Sequence, residues 1–273
     1  MILIERQKPS HWYLQDGTPY HEVPKLDGTG NRPVTLRDAR KVKALPSVTN
    51  LLGVLAKPGL DAWKIEQGIL SALTLPRLAG EGDDVFAKRV VVDMDGQVEK
   101  AADFGTAIHA ACELYAQENA LPTDTKILAH IADWRRWFDE NIERVDCLES
   151  VFVHRELGYA GRVDLIAKVK GLGRGVIDWK TQNIKRSAKG ELKPVFYETW
   201  PLQLSAYRMA ALASLARPID FTMSVVINSN EPGPVHVQMW SELAMAKQFA
   251  AFRAALDLWK YVKDYNPGKV EPL

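Results

Sequence analysis

Apolar positions change their spacing once along the chain. From Pro46 to about Arg144 they recur at three- and four-residue intervals, the period of helices with one buried face. From Val145 onward most apolar runs alternate or are continuous, as in strands. Ser47 is the expected N-cap of a short helix in "LPSVTNLLGVL", and "KPGLDAWKIEQGILSALTL" reads as a helix after the Pro58-Gly59 turn. A third helix, "GDDVFAKRVVVDMDG", is expected to close at Asp95-Gly96. Helical patterning resumes from about Glu99 to Asn119 and again through "TDTKILAHIADWRRWFDENIER". Residues 1–45 carry turn signals ("QDGTP", "LDGTGNRP") and read as short hairpins or an irregular extension.

Beyond Val145, "VDCLESVFVHREL" and "YAGRVDLIAKVK" alternate, the second with Val163, Leu165, Ala167 and Val169 on one face. The glycine turn "GLGRG" leads into "GVIDWKTQ", and the three strands form an expected antiparallel meander. A basic loop, "NIKRSAKGELKPVF", follows. Pro201 suits the first turn of a helix running to about Ala216, which Arg217-Pro218 ends. "IDFTMSVVINSN" is a fourth strand, and "GPVHVQMW" is a fifth paired through the "NEPGP" turn. A last helix begins at Ser241 and stops at Asn266-Pro267-Gly268. From Glu99 the order is helix, three strands, helix, strand, a mixed α/β arrangement around a central sheet.

Composition narrows the class without naming a function. The 273 residues are 47% hydrophobic and 25% charged, enough for one large domain or two small ones. The expected division is a hairpin and helical extension over residues 1–98, packed on a core over residues 99–273. Cys112 and Cys147 are too few for a disulfide framework, a four-thiolate zinc site or a cysteine-ligated iron–sulfur cluster. "MILIERQKPS" reaches charges at Glu5 and Arg6 too early for a signal peptide, and no apolar run approaches the ~20 residues that span a bilayer. A cytoplasmic protein is expected. With a net charge of +1, any nucleic-acid binding must come from a local basic patch.

Chemistry concentrates in "GVIDWKTQ". Period two puts Asp178 and Lys180 on one face with Val176, and Ile177, Trp179 and Thr181 on the other. Asp164 interrupts the apolar alternation of the neighbouring strand. Two carboxylates and an ammonium could then converge, and buried charges must be paired or hold a metal. Two adjacent carboxylates alone would drive one to take up a proton, a difficulty that a hard divalent cation such as Mg2+ removes. Such a set suits phosphodiester hydrolysis: the ion would activate a water and offset charge on the leaving oxygen, with the lysine beside them. Taken alone, Asp-x-Lys is more often a structural ion pair at a strand end. On the preceding helix "GTAIHAACE" puts Gly105, His109 and Glu113 on one stripe, and in "PLQLSAY" Gln203 and Tyr207 stand four apart on one face.

Together these residues resemble the PD-(D/E)-x-K nuclease superfamily, and within it the RecB-like exonucleases. The ordered pattern of that group, Gly-x3-His, Gly-x-x-Asp, Asp/Glu-x-Lys, Gln-x3-Tyr, reads here as "GTAIH", "GRVD", "DWK" and "QLSAY". "LGYAGRVDLIAKV" followed by "VIDWKT" is similar to phage-type and mitochondrial genome-maintenance exonucleases, and the likeness spans about Pro46 to Asn228. Val163 stands where the superfamily name has proline. The resemblance implies a restriction-endonuclease-like αβββαβ core, with a mixed central sheet flanked by helices and a mainly helical N-terminal extension. It implies a metal-dependent DNA exonuclease of recombination, repair or replication, using Mg2+ with Mn2+ as a substitute. It also implies metal ligation by His109, Asp164, Asp178 and the carbonyl of Trp179, and catalysis by Lys180. Gln203 and Tyr207 would support the site or touch DNA, and Glu113 would be a supporting acid. DNA is the implied partner, with a single-strand annealing, helicase or replication protein beside it, in a bacterial or phage-infected cell. The rival readings are a structure-specific or restriction-like endonuclease on the same fold and an inactive DNA-binding or assembly module. Lys185, Arg186, Lys189 and Lys193, with Arg37, Arg40, Lys41 and Lys43, are expected phosphate contacts, and Trp12, Tyr13, Trp63 or Tyr197 are candidate base stackers.

Overall fold

A computed structural model describes residues 11–215 and 217–269. The opening decapeptide, on which the signal-peptide reading rests, lies outside the described residues, as does Ala216 at the expected end of a helix. The N-terminal segment holds the strands β1 (Trp12–Tyr13), β2 (Glu22–Pro24) and β3 (Asn31–Pro33), the helix α1 (Leu36–Val42) and the strand β4 (Leu45–Pro46). β2 and β3 form a hairpin, and β1 pairs antiparallel with β4. Thr35 and Asp38 cap α1 reciprocally. Ser47 Oγ accepts the N–H of Asn50 at 3.0 Å and so starts α2 (Val48–Leu51), as its position predicts.

Three long helices follow: α3 (Pro58–Thr74), α4 (Asp83–Glu118) and α5 (Thr125–Asn141). The break expected at Asp95-Gly96 does not occur, and α4 runs unbroken for 36 residues. A glycine inside a helix costs only about 1 kcal/mol relative to alanine. Gly96 does not take the positive φ that would make it a stop. The start of β5 (Ile142–His154) is a second correction, because "NIER" was expected to continue the helix. Ile142 pairs with Val169 across the sheet, and that tertiary pairing overrides local helix preference.

The sheet contains β5, β6 (Tyr159–Val169), β7 (Gly173–Gln182), β8 (Phe221–Asn228) and β9 (His236–Trp240), in that spatial order. The first three form the expected antiparallel meander, α6 (Thr199–Leu215) crosses over to make β8 parallel to β7, and β9 returns antiparallel. α7 (Glu242–Lys263) ends at Asp264 in a left-handed cap. The sheet separates two apolar clusters. On one side Ile166 and Val176 pack with Leu204 and Ala206 of α6 and with Phe252 and Trp259 of α7. On the other, Leu165, Ile177, Trp179 and Val225 pack with Ile108 of α4 and with Ile131 and Trp134 of α5. The result is a three-layer α/β fold with a five-stranded mixed sheet flanked by helices. Val163, expected to share a face with Leu165, packs in the α6-side cluster instead. Among the described residues, no helix is long and apolar enough to cross a membrane. Cys112 and Cys147 are both free.

Candidate active site

The β6–β7 ladder runs from Val169 opposite Gly173 to Leu165 opposite Ile177 and stops there. Just beyond, the Trp179 N–H donates to Asp164 Oδ2 at 3.1 Å. The aspartate side chain thus satisfies a backbone donor where the strands part. Asp178, 2% exposed, continues the buried strand. Lys180 Nζ donates to Asp178 Oδ1 at 2.9 Å and lies 2.7 Å from Oδ2. From α6, Gln203 Nε2 donates to Tyr207 Oη at 2.9 Å and makes a long contact of 3.5 Å to Asp178 Oδ1. Spacing puts each pair on one face, the i, i+4 pair on α6 and the period-two pair on β7, and the packing of α6 against the sheet brings the two faces together.

The other wall is α4. A Cβ on Gly105 would stand 2.8 Å from Thr181 Oγ1, so glycine lets this helix lie close against β7. His109, Glu113, Glu149, Arg162, Asp164 and Thr181 line a cavity of about 600 Å3 at that junction.

Burial and like charge dominate the electrostatics. Burial first, and then the Asp178 carboxylate, hold the pKa of Asp164 well above the usual carboxylate range. For Lys180 burial acts downward, but the Asp178 and Asp164 charges outweigh it and the net shift is upward. Burial takes His109 down to about 4, against the pull of Asp178, so the ring is neutral near pH 7. The Tyr207 hydroxyl is pushed far up by burial and then by the same two aspartates.

Asp164 and Asp178 fit a hard, oxygen-seeking cation by donor type and by the charge conflict between them. Among the described residues Asp178 Oδ2 also accepts no well-aligned hydrogen bond, although Lys180 stands beside it. His109 is not drawn into one cluster with them; its ring interacts with the Trp179 backbone. Among the described residues, no three His, Cys, Asp or Glu side chains converge tightly enough to hold a metal.

The outlying expected contacts divide. Lys185 and Lys189 are exposed. Arg186 is engaged by Glu231 at 2.7 Å, and Lys193 by Glu191 at 2.8 Å. Arg40 is corrected: its Nη2 donates to the Lys263 and Asp264 carbonyls, where it caps the C-terminus of α7. Trp12 and Tyr13 are corrected as stackers, being 2% and 4% exposed in the core. Tyr197 is exposed, edge-on to Trp200 at 5.2 Å.

Glu149 escaped the sequence reading. Its signal was the one that marked Asp164, a charge inside an apolar alternation. Leu148 pairs with Leu165 and Ser150 with Val163, which sets Glu149 across from Asp164. Asp178 in turn pairs with Ser224, whose buried hydroxyl has no hydrogen-bond partner among the described residues, and Ser224 pairs with Gln238. A polar row therefore crosses all five strands.

Gly161 of "GRVD" explains itself by contact. A Cβ there would stand 2.3 Å from the Tyr207 ring and 3.3 Å from Val48. Gly161→Ala is expected to lose about 1–3 kcal/mol by overpacking, measured by urea unfolding. It should also loosen Tyr207 and, through Gln203, Asp178; wild-type stability in the variant would remove this packing role.

No protein-family model and no curated protein matches the chain. A solved structure from Eubacterium rectale, described as a "Putative exonuclease", aligns at 12% identity with a TM-score of 0.38. It covers 62% of this chain and 70% of that one. Likeness at that level is too slight to assign an activity.

Proposed function

We propose that the protein is a metal-dependent deoxyribonuclease that acts as an exonuclease. The observation that carries this reading is the grouping of Asp164, Asp178 and Lys180 where β6 and β7 part, beside an open cavity. Asp164 and Asp178 would hold Mg2+ or Mn2+ with the Trp179 carbonyl, and His109, whose ring interacts with the Trp179 backbone, would have to turn toward the ion to add a nitrogen donor. When bound, the ion would activate water and offset charge on the leaving oxygen. Lys180 Nζ would orient the attacking water or neutralise charge on the phosphate in the transition state. Gln203 holds the Asp178–Lys180 pair from α6, with Tyr207 behind it. Glu113 stands at the cavity wall as a supporting acid, and Lys185 and Lys189 are free to meet phosphates along the strand.

The test is digestion of end-labelled linear DNA and covalently closed circles, with Mg2+, with Mn2+ and with chelator. Loss of linear DNA only, and only with metal, is the expected result. Cutting of closed circles would replace the exonuclease reading with an endonuclease one. Absence of any metal-dependent digestion would overturn the catalytic reading and leave a DNA-binding or assembly module.

A further inference from the structure

Arg162 has no part in the chemistry above, yet it occupies the cavity mouth. Among the described residues it is the one arginine or lysine in the cavity lining. Its guanidinium is gripped from two elements. Nε lies 2.5 Å from Glu149 Oε2 on β5, and Nη2 lies 3.7 Å from Glu113 Oε1 on α4. Even so, 53% of the side chain remains exposed. An ion pair this open contributes little to stability. Two features of Glu149 work against the fold. Its φ is +46°, a left-handed conformation in the middle of a strand. Burial also raises its carboxyl pKa, and the nearby Arg162 only partly offsets this. A strained, half-buried acid holding an exposed cation is the kind of local cost that persists where geometry serves a ligand.

The cavity lining supplies the ligand chemistry. Glu113, Glu149 and Asp164 make it acidic, so a polyanion entering it needs a cation at the mouth. Guanidinium is suited to phosphate because its fork can bond two oxygens at once. Arg162 lies two residues before Asp164 on β6, about 7 Å along the strand. A phosphate held there would neighbour one held at Asp164.

We propose that Arg162 binds a backbone phosphate of the strand being cut, adjacent to the scissile one, and that Glu113 and Glu149 are positioning residues that hold its guanidinium over the cavity. The inference rests on the nuclease reading and adds a substrate contact to it.

The test uses the full chain with Arg162→Ala, Arg162→Lys and Glu149→Gln. Binding of a labelled oligonucleotide is measured in Ca2+ buffer over a range of salt, and turnover is measured separately in Mg2+. For Arg162→Ala the slope of log affinity against log salt should shrink by about one, with KM raised about tenfold and kcat nearly unchanged. Arg162→Lys should restore the slope. Glu149→Gln should keep the slope and raise KM severalfold, because the grip loses its charge. A methylphosphonate at the adjacent linkage should weaken wild-type binding and leave Arg162→Ala unaffected. An unchanged slope, or equal methylphosphonate losses in wild type and variant, would overturn the proposal. If only removal of a terminal phosphate distinguishes wild type from Arg162→Ala, the contact is to a chain end and the backbone assignment falls. Wild-type protein without Mg2+ turnover but with the expected slope change would sink the nuclease reading and keep the phosphate contact. Turnover with an unchanged slope would do the reverse.

Discussion

Lys180→Ala is expected to slow phosphodiester cleavage by about 10³-fold in single-turnover measurements, with DNA affinity little changed. The ammonium lies 2.7 Å from Asp178 Oδ2 and is the one group in the set that can donate to a water or a phosphate oxygen. Its removal also leaves Asp178 and Asp164 as neighbouring buried carboxylates, which destabilises the site by itself. Lys180→Gln separates the two effects. An amide can still donate to Asp178 but carries no charge, so stability should largely return while the rate stays low. Near-wild-type cleavage by both variants, with melting temperatures preserved, would remove Lys180 from the mechanism even if the protein is a nuclease.

Trp179→Ala should cost about 4 kcal/mol of stability, read from the urea midpoint at constant slope. The indole is fully buried and edge-on to Trp134 at 5.3 Å, and it lies between the sheet and the α4–α5 layer. Few single changes reach that size, and it would take a large share of the 5–15 kcal/mol typical of a domain. Because the residue sits between Asp178 and Lys180, the cavity it leaves would also let the site strand shift. Metal-dependent cleavage should therefore fall together with stability. A loss under about 1.5 kcal/mol would mean that the layer collapses into the gap and that Trp179 is not the anchor of this strand.

Much of this arrangement was legible beforehand because it depends on local periodicity. The two-residue alternation of "GVIDWKTQ" separates Asp178 and Lys180 from Ile177 and Trp179, and the two clusters on either side of the sheet keep that division. The four-residue spacing of Gln203 and Tyr207 survives as a direct hydrogen bond. Legibility ended where local signals were weak. Asp95-Gly96 reads as a turn, but nothing there forces the chain out of a helix. "NIER" reads as helix until a partner strand is available to pair with it. The basic run around Arg40 reads as a phosphate contact, but the C-terminal carbonyls of α7, more than 200 residues away in sequence, take that side chain.

The chain carries its strand and helix faces, its caps and the residue types of the site in its own order, because each depends on neighbours within a few positions. Which charges meet depends on register between strands and on how closely layers approach. Those are set by where the β6–β7 ladder stops, by the left-handed residue at Glu149, and by Gly105 and Gly161 admitting Thr181 and Tyr207. No local periodicity encodes such distances. Thus Asp164, Asp178 and Lys180 could be picked out along the chain, whereas the place of Glu149 across from Asp164 and its grip on Arg162 came into view only once the strands lay side by side.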